Sequence, residues 1–209
     1  LLEQTHDDVA EAFLMRLARG AGVDGLSSMA PHWTEAGVCW RRPLLAVSRD
    51  ALRSYLTASG AQWVDDPSNE ADRFDRVRAR KALQVLLPLG MTSRTLAEVA
   101  GHLAEARHVL DAAADHAAQR HLTHTEGVVT LAEGFFSEPA ELQGRLLQRV
   151  ILWFAPAPYA PRGLAVQALL AKIASGKSAQ LAGCHFVAHR GRQVAFRELR
   201  AVKTLCGPA

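Results

Sequence analysis

The segment TSRTLAEVAGHLAEARHVLDAAADHAAQRH, residues 92–121, decides the architecture that the sequence predicts. Its apolar side chains recur in alternating steps of three and four residues, the spacing of one face of an α-helix. Those positions are Leu96, Val99, Leu103, Ala106, Leu110, Ala113 and Ala117. We predict one long amphipathic helix here. Because the patterns of the segments before and after this helix differ, we place a domain boundary near residue 90.

Before this helix the sequence predicts short elements that alternate in type. They are a helix over residues 6–19, a loop over 20–35, a buried strand from Val38 to a bend at Pro43, a helix over 49–59 capped by Ser48, and a short strand over 62–64. After it we predict a strand over 128–131, helices over 137–154 and 164–175, and a β-hairpin around Arg190 and Gly191. The predicted fold class is therefore mainly α with small β elements (α+β), in two domains of residues 1–90 and 91–209.

Composition restricts the class of protein. Of the 209 residues, 49% are hydrophobic and 22% charged, which is typical of a globular chain of one or two domains. No run of 18 apolar residues occurs, and the first ten residues are acidic, unlike a signal peptide. The three cysteines, Cys39, Cys184 and Cys206, fit neither a disulfide framework nor a zinc site. We expect a cytoplasmic protein with no membrane partner.

Charge is unevenly distributed although the net charge is only +3. Residues 1–40 carry six acids and two bases, whereas residues 177–203 carry six bases and one acid. Clustered basic residues are the pattern expected of a nucleic-acid contact, although basic hairpins also serve as soluble sheet edges. We favour contact between the second domain and a phosphate backbone.

A group of acids opens the first predicted helix. Asp8 and Glu11 are three residues apart, so their carboxylates share one face, a spacing suited to Mg²⁺ that bridges phosphates. The alternative is that Asp7, Asp8 and Glu11 only complement the helix dipole. A third interpretation, an HD-type metal phosphohydrolase built on His6 and Asp7, lacks further ligands at suitable spacing among the later histidines.

An arginine-rich segment follows the turn sequence DPSN at residues 66–69. Arg73, Arg76 and Arg80 recur in steps of three and four, which places their guanidinium groups along one helix face. Aligned guanidinium groups suit phosphate oxygens. The alternative is a salt-bridged face that pairs with the acids immediately upstream.

Several segments together resemble the tRNA(Ile)-lysidine synthetases, also called MesJ-type proteins, which belong to the PP-loop ATP pyrophosphatases. The resemblance is carried by DDVAEAFLMRLARGAGVDGLSSM, RRPLL, WVDDPSNEADRFDRVRAR, LLP and QLAGCHFVAHRGRQVAFREL, at residues 7–29, 41–45, 63–80, 86–88 and 180–199. These blocks span nearly the whole chain in the family's order. Their joint occurrence is more specific than any one of them.

The resemblance implies a fold and an activity. Residues 1–90 would be the remnant of a Rossmann-like PP-loop domain, and residues 91–209 a helical tRNA-binding domain. Such enzymes use ATP and Mg²⁺ to adenylate the wobble cytidine of an isoleucine tRNA with a CAU anticodon. The amine of free lysine then displaces AMP to give lysidine. A homodimer is a further expectation.

The resemblance also implies roles for particular residues. Asp7, Asp8 and Glu11 would lie beside the nucleotide and lysine, with Asp8 and Glu11 near Mg²⁺. The arginines predicted to face the triphosphate or tRNA are Arg73, Arg76, Arg78 and Arg80. Those predicted to contact the tRNA body are Arg162, Arg190 and Arg192.

The sequence departs from the family pattern in four places. The SGGxDS phosphate loop is absent, Gln4 stands in place of a histidine, Ala12 in place of a threonine, and Val77 in place of an asparagine. We therefore expect the C-terminal part of a lysidine synthetase that does not adenylate RNA by itself, whether it is a chosen fragment, a mis-started gene or a degenerate copy. The alternative is a copy without catalysis that serves as an RNA-binding module.

Overall fold

A computed structural model describes residues 1–27, 29–64, 75–157, 159–189 and 192–197. The chain forms two compact units, residues 1–109 and 110–209, and each is described separately. Helices dominate, and the strands are short and antiparallel. The mainly α fold with small β elements is confirmed, whereas the functional domains of residues 1–90 and 91–209 stay a prediction.

The first unit contains helices and one β-hairpin. Its elements are α1 (His6–Leu17), α2 (Val23–Leu26), β1 (His32–Glu35), β2 (Val38–Arg41), α3 (Arg49–Ala58), α4 (Asp75–Leu86), a 3₁₀ turn (Leu87–Leu89) and the first part of α5 (Ser93–His121). The buried apolar side chains of α1, α4 and α5 form its core, which comprises Val9, Ala10, Phe13, Leu83, Leu96 and Ala100. The helices predicted at residues 6–19, 49–59 and 92–121 are confirmed.

Capping explains where α3 begins and ends. The Ser48 hydroxyl accepts a hydrogen bond from the Ala51 backbone N–H at 2.9 Å, which satisfies one free donor of the first turn. Gly60, with φ +67°, follows the last turn in the left-handed conformation that glycine adopts at low cost. Both ends agree with the sequence prediction.

The segment around β1 and β2 differs from the prediction. Residues 20–35 contain α2 and β1 instead of only a loop, and β2 is mainly exposed instead of buried. The turn Ala36-Gly37 has positive φ at both residues, as two-residue hairpin turns of type I′ require. The sequence did not predict this turn, because alanine stands where asparagine or aspartate is usual. Residues 62–64 form no strand, so that prediction was wrong.

The second unit packs helices against one sheet. Its elements are the end of α5, β3 (Leu122–Thr125), β4 (Val128–Leu131), a 3₁₀ turn (Glu133–Ser137), α6 (Ala140–Phe154), α7 (Gly163–Ala174), β5 (Ala179–Leu181), β6 (Cys184–His189) and β7 (Arg192–Arg197). The strand order is β3-β4-β7-β6-β5, with antiparallel neighbours throughout. The predicted hairpin is thus part of a five-stranded sheet, because β4 pairs with β7.

The core of the second unit lies between this sheet and helices α6 and α7. Its most buried side chains are Leu131, Phe135, Leu146, Leu147, Ile151, Ile173, Cys184 and Phe186. Burial raises the pKa of the Cys184 thiol to about 11, so this thiol is protonated at neutral pH.

None of the helices within the described part of the chain has both the length and the apolar character needed to cross a bilayer.

The core predicts the effect of truncating one leucine. Leu146 is fully buried, so Leu146→Ala is expected to lower the free energy of unfolding by about 2–5 kcal/mol. Leu164→Ala is the matched control, because Leu164 is 82% exposed in the same unit and its truncation leaves no cavity. Urea denaturation followed by circular dichroism measures both. Equal effects of the two substitutions would contradict the described core.

Candidate functional site

Three carboxylates of α1 meet three arginines from α3 and α4. We call this group the acid–arginine cluster, and its members are Asp7, Asp8, Glu11, Arg49, Arg76 and Arg80. The three acids lie on the first two turns of α1, and Arg49 is the first residue of α3. The cluster therefore joins segments far apart in the sequence within the first unit.

Asp7 and Asp8 both stabilise helix ends. One Asp7 oxygen accepts a hydrogen bond from the backbone N–H of Arg49 at 2.9 Å, which caps α3. Asp8 Oδ2 accepts from the backbone N–H of Thr5 at 2.9 Å and from the Thr5 hydroxyl at 2.8 Å, closing a capping box at the start of α1. Asp8 Oδ1 accepts from the Arg49 guanidinium at 2.8 Å. Asp7 thus binds the start of α3, and Asp8 binds both the start of α1 and the Arg49 side chain.

Glu11 is the most buried member of the cluster. Its side chain is 1% exposed, and Oε1 accepts from Arg49 at 2.9 Å and from Arg80 Nε at 2.6 Å. Its second oxygen, Oε2, has no hydrogen-bond partner among the described residues. A buried charge requires paired partners, and two guanidinium groups provide them on one side only. Glu11 therefore presents one buried acceptor that the described side chains leave open.

Opposing effects set the pKa values of Asp8 and Arg49. Burial by itself raises the pKa of Asp8, but the hydrogen bonds from Thr5 and the charge of Arg49 outweigh it and hold this pKa below its ordinary value. Burial likewise lowers the pKa of Arg49, whereas its hydrogen bond to Glu11 and the nearby carboxylates raise it overall. Asp8 and Arg49 are consequently both charged at neutral pH.

The predicted arginine stripe is divided by the structure. Arg80 bonds to Glu11, and Arg76 lies 3.8 Å from Asp8 with 55% of its side chain exposed. Arg78 instead pairs with Asp75 on its own helix, and Asp75 also accepts from Arg19 at 2.9 Å. Arg73 lies outside the described residues. The structure thus brings Arg76 and Arg80, but not Arg78, to the predicted acids.

Sequence reasoning missed Arg49, although it contacts all three carboxylate-bearing residues. A weak signal existed. An arginine at the first position of a helix opposes the helix dipole, so its presence indicates an acidic partner elsewhere in the fold. Nothing in the local sequence shows that this partner lies about forty residues earlier, on α1.

Mg²⁺ prefers several oxygen ligands in octahedral geometry. Asp8 and Glu11 already use three of their four oxygens for hydrogen bonds from Thr5 and arginines, and only Glu11 Oε2 is open. As bonded here, the pair does not fit a Mg²⁺ ion. Within the described ranges, no group of three His, Cys, Asp or Glu side chains is placed to hold a metal. The metal role of Asp8 and Glu11 stays a prediction from resemblance.

The positions that depart from the family pattern also have structural roles. Gln4 accepts a hydrogen bond from Arg42 Nε at 2.7 Å. Val77 is buried on α4, and Ala12 is half-buried on α1. None of these three side chains is a member of the acid–arginine cluster.

The arginines predicted in the second unit are only partly described. Arg162 is exposed at the start of α7. Arg192 is the first residue of β7, in register with His189 of β6, and Arg190 lies outside the described residues. Their contact with RNA stays a prediction.

The first part of the chain is similar to a known protein family. Residues 1–87 match the family model of the PP-loop domain. This range contains the whole acid–arginine cluster. The class of protein indicated for residues 1–87 is thus the PP-loop proteins, which agrees with the resemblance in the sequence.

Relatives define the family more narrowly. A tRNA(Ile)-lysidine synthase of Ruegeria pomeroyi is 46% identical over 210 residues, which cover 99% of this chain and 50% of the relative. One from Hyphomonas neptunium is 32% identical over 217 residues, covering 100% of this chain and 56% of the relative. One from a Bradyrhizobium species is 37% identical, covering 70% and 44%. The chain belongs to the tRNA(Ile)-lysidine synthase family, and it spans about half the length of these curated relatives.

The lowered pKa of Asp8 predicts a pH-dependent contribution to stability. Ionised Asp8 stabilises the fold above the ordinary aspartate pKa of about 4, and this contribution is lost as the pH falls through the lowered value. Asp8→Asn should lower the free energy of unfolding by about 1–3 kcal/mol near pH 7, with the difference shrinking toward about pH 3. Urea denaturation at both pH values measures this. Glu3→Gln, at an exposed position, is the control, and a pH-independent effect of Asp8→Asn would contradict the prediction.

Proposed function

We propose that this chain is part of a tRNA(Ile)-lysidine synthase. In the proposed reaction, ATP adenylates the wobble cytidine of an isoleucine tRNA with a CAU anticodon, releasing pyrophosphate. The amine of free lysine then forms the new carbon–nitrogen bond and AMP leaves. The observation that carries this proposal is the 46% identity to the Ruegeria pomeroyi enzyme across 99% of the chain.

The two predicted domains have different roles in the proposed reaction. Residues 1–90 contribute to the nucleotide side, which the PP-loop match over residues 1–87 supports. Residues 91–209 bind the tRNA body, supported by the excess of basic residues over 177–203 and by exposed Arg162. ATP and tRNA, the substrates proposed for the two domains, are both polyanions. The location proposed is the cytoplasm, and a homodimer stays a prediction.

The acid–arginine cluster suits a site for anionic substrates. Asp8 and Glu11 bind Arg49 and Arg80 by short hydrogen bonds, so the guanidinium groups of these two arginines are already occupied by carboxylates. Arg76 is more exposed and more loosely paired, with its nearest carboxylate oxygen at 3.8 Å. We assign Arg76 the direct contact with a tRNA or nucleotide phosphate, and Arg49 and Arg80 the positioning of the carboxylates.

Glu11 Oε2 supports a role in lysine binding. This oxygen is buried and open among the described residues, and an ammonium group carries the donors that it lacks. Lysine is the one proposed substrate with such a group. Bound ATP would supply the activated adenylyl group, and no step is assigned to a metal because Asp8 and Glu11 do not fit one as bonded.

A second candidate function is an RNA-binding module without catalysis. It is favoured by Gln4 and Ala12, which stand at positions where the family pattern has histidine and threonine. An in-frame SGGxDS segment encoded upstream of Leu1 would count against it. The phosphohydrolase alternative gains no support from the spacing of His6 and Asp7, whose side chains lie 3.8 Å apart.

Salt dependence tests the phosphate contact. Each phosphate contact releases counterions, so Arg76→Ala should weaken tRNA binding and lower the slope of log affinity against log salt by about 1. Arg94→Ala is the matched control, because Arg94 is exposed in the same unit and paired with Glu98 one turn away. Filter binding across a salt series measures both slopes. An unchanged slope for Arg76→Ala would show that Arg76 does not contact a phosphate and that its role is structural.

The absence of the phosphate loop motif predicts a missing activity. The 209 residues supplied with ATP, lysine and tRNA should bind the tRNA but form no lysidine, because no SGGxDS sequence is present to hold the triphosphate. Mass analysis of digested tRNA measures the product, and the Ruegeria pomeroyi relative is the positive control. Robust lysidine formation by the 209 residues alone would overturn the proposed incompleteness.

A further inference from the structure

The second unit contains a cavity that none of the functions above uses. Its volume is about 380 Å³, which is within the range of small-ligand sites. Ile151 and Leu152 of α6, Ala165 of α7 and Leu181 of β5 all line it. The cavity is therefore mainly apolar, and it borders the first turn of α7.

The segment that connects α6 to α7 completes the lining. Among the described lining residues, only Tyr159 and Arg162 of this segment have polar side-chain atoms. The Gln148 side chain on α6 donates a hydrogen bond to the Pro161 carbonyl at 3.0 Å, which ties the segment to α6. Proline at position 161 also restricts the backbone there. The segment thus has less conformational freedom to lose when a ligand binds.

Arg162 provides positive charge at the cavity. Within the described part of the chain, its exposed side chain has no hydrogen-bond or ion-pair partner, and no carboxylate lines the cavity. Arg162 is also the N-cap residue of α7, whose first turn has no side-chain cap. The free N–H groups of such a turn attract anions. A guanidinium and a helix N-terminus beside one apolar cavity suit a ligand with a phosphate group.

The remaining lining indicates what that phosphate carries. Tyr159 lines the cavity and is 88% exposed, so its ring is accessible to a ligand. Aromatic side chains and apolar pockets bind unpaired nucleobases, whereas paired bases are stacked inside a helix and cannot enter. The excess of basic residues over 177–203, in the same unit, favours RNA over an uncharged ligand. Base and phosphate together define a nucleotide.

We propose that this cavity binds one unpaired nucleotide of the RNA, with its base against Tyr159 and the apolar lining and its phosphate at Arg162 and the start of α7. This inference rests on the proposed function, because it requires that the chain bind tRNA. Unpaired nucleotides occur in tRNA loops and at its 3′ end and are absent from the middle of a paired stem. The second unit would therefore distinguish tRNA from fully paired RNA.

The test compares two RNA probes on the full 209-residue chain, a tRNA with a CAU anticodon and a fully paired duplex of matching length. Ala165→Leu fills the cavity and should weaken tRNA binding roughly five- to a hundredfold while duplex binding is unchanged. Ala168→Leu is the matched control, because Ala168 is exposed on the same helix and does not line the cavity. Tyr159→Ala should act like Ala165→Leu, and Tyr159→Phe should retain most of the affinity.

The phosphate contact has its own readout. Arg162→Ala should weaken tRNA binding and lower the slope of log affinity against log salt by about 1, because one phosphate contact is lost. An unchanged slope would overturn the placement of the phosphate at Arg162.

Each outcome decides the proposal. Weaker tRNA binding by Ala165→Leu and Tyr159→Ala, with duplex binding unchanged, supports it. Unchanged tRNA binding by both variants overturns it and leaves the proposed function intact. Where Ala165→Leu lowers helical circular dichroism, Tyr159→Ala decides alone, because Tyr159 is 88% exposed.

Three other results would also overturn it. Equal loss on both probes would show a general role in the fold or in charge. A changed oligomeric state in size-exclusion chromatography would make the cavity a contact between copies of the chain. Binding of free CMP that Ala165→Leu abolishes, with tRNA binding unchanged, would make it a small-molecule site. A native chain that binds neither RNA probe would overturn the proposed function as well.

Discussion

The buried carboxylate of Glu11 imposes the constraint on which the first unit depends. A charge that is 1% exposed is stable only with paired donors, and here they come from Arg49 at the start of α3 and Arg80 on α4. Removing one partner of such a pair leaves an uncompensated buried charge, which costs several kcal/mol. Charge thus joins α1, α3 and α4, whereas the apolar core joins α1, α4 and α5. The segments that connect α1, α3 and α4 must therefore place Arg49 and Arg80 within hydrogen-bond distance of Glu11.

Helices with local signals could be predicted from the sequence. The apolar spacing of α5 and the serine cap of α3 are encoded within a few residues of where they act, and both are confirmed. The acids of α1 and the arginines of α4 could also be recognised, because their spacing is helical. That Arg76 and Arg80 meet Asp8 and Glu11, whereas Arg78 turns toward Asp75, depends on how the two helices pack.

The sheet of the second unit shows why the rest could not be predicted. Two of its hairpins turn at Glu126-Gly127 and Ala182-Gly183, each with positive φ at both residues, as does the Ala36-Gly37 hairpin of the first unit. Alanine and glutamate rarely adopt this conformation, so their propensity argues against the turn that the paired strands impose. The pairing of β4 with β7 joins residues more than sixty positions apart and has no local signal. Sequence analysis therefore predicted β4 and the hairpin of β6 and β7, but neither β3 and β5 nor the pairing that joins all five strands in one sheet.

Hydrogen bonds fix the position of arginine side chains both in the acid–arginine cluster and directly after the β1–β2 hairpin. In the cluster, carboxylates orient Arg49 and Arg80; after the hairpin, Gln4 and a backbone carbonyl orient Arg42. Flexible arginines lose side-chain entropy on binding, and those already held lose less. Carboxylate partners also weaken the attraction for anions, so the strongest anion contact is expected where pairing is loosest. Within the cluster that position is Arg76, which is more exposed and more distant from its acid than its two neighbours.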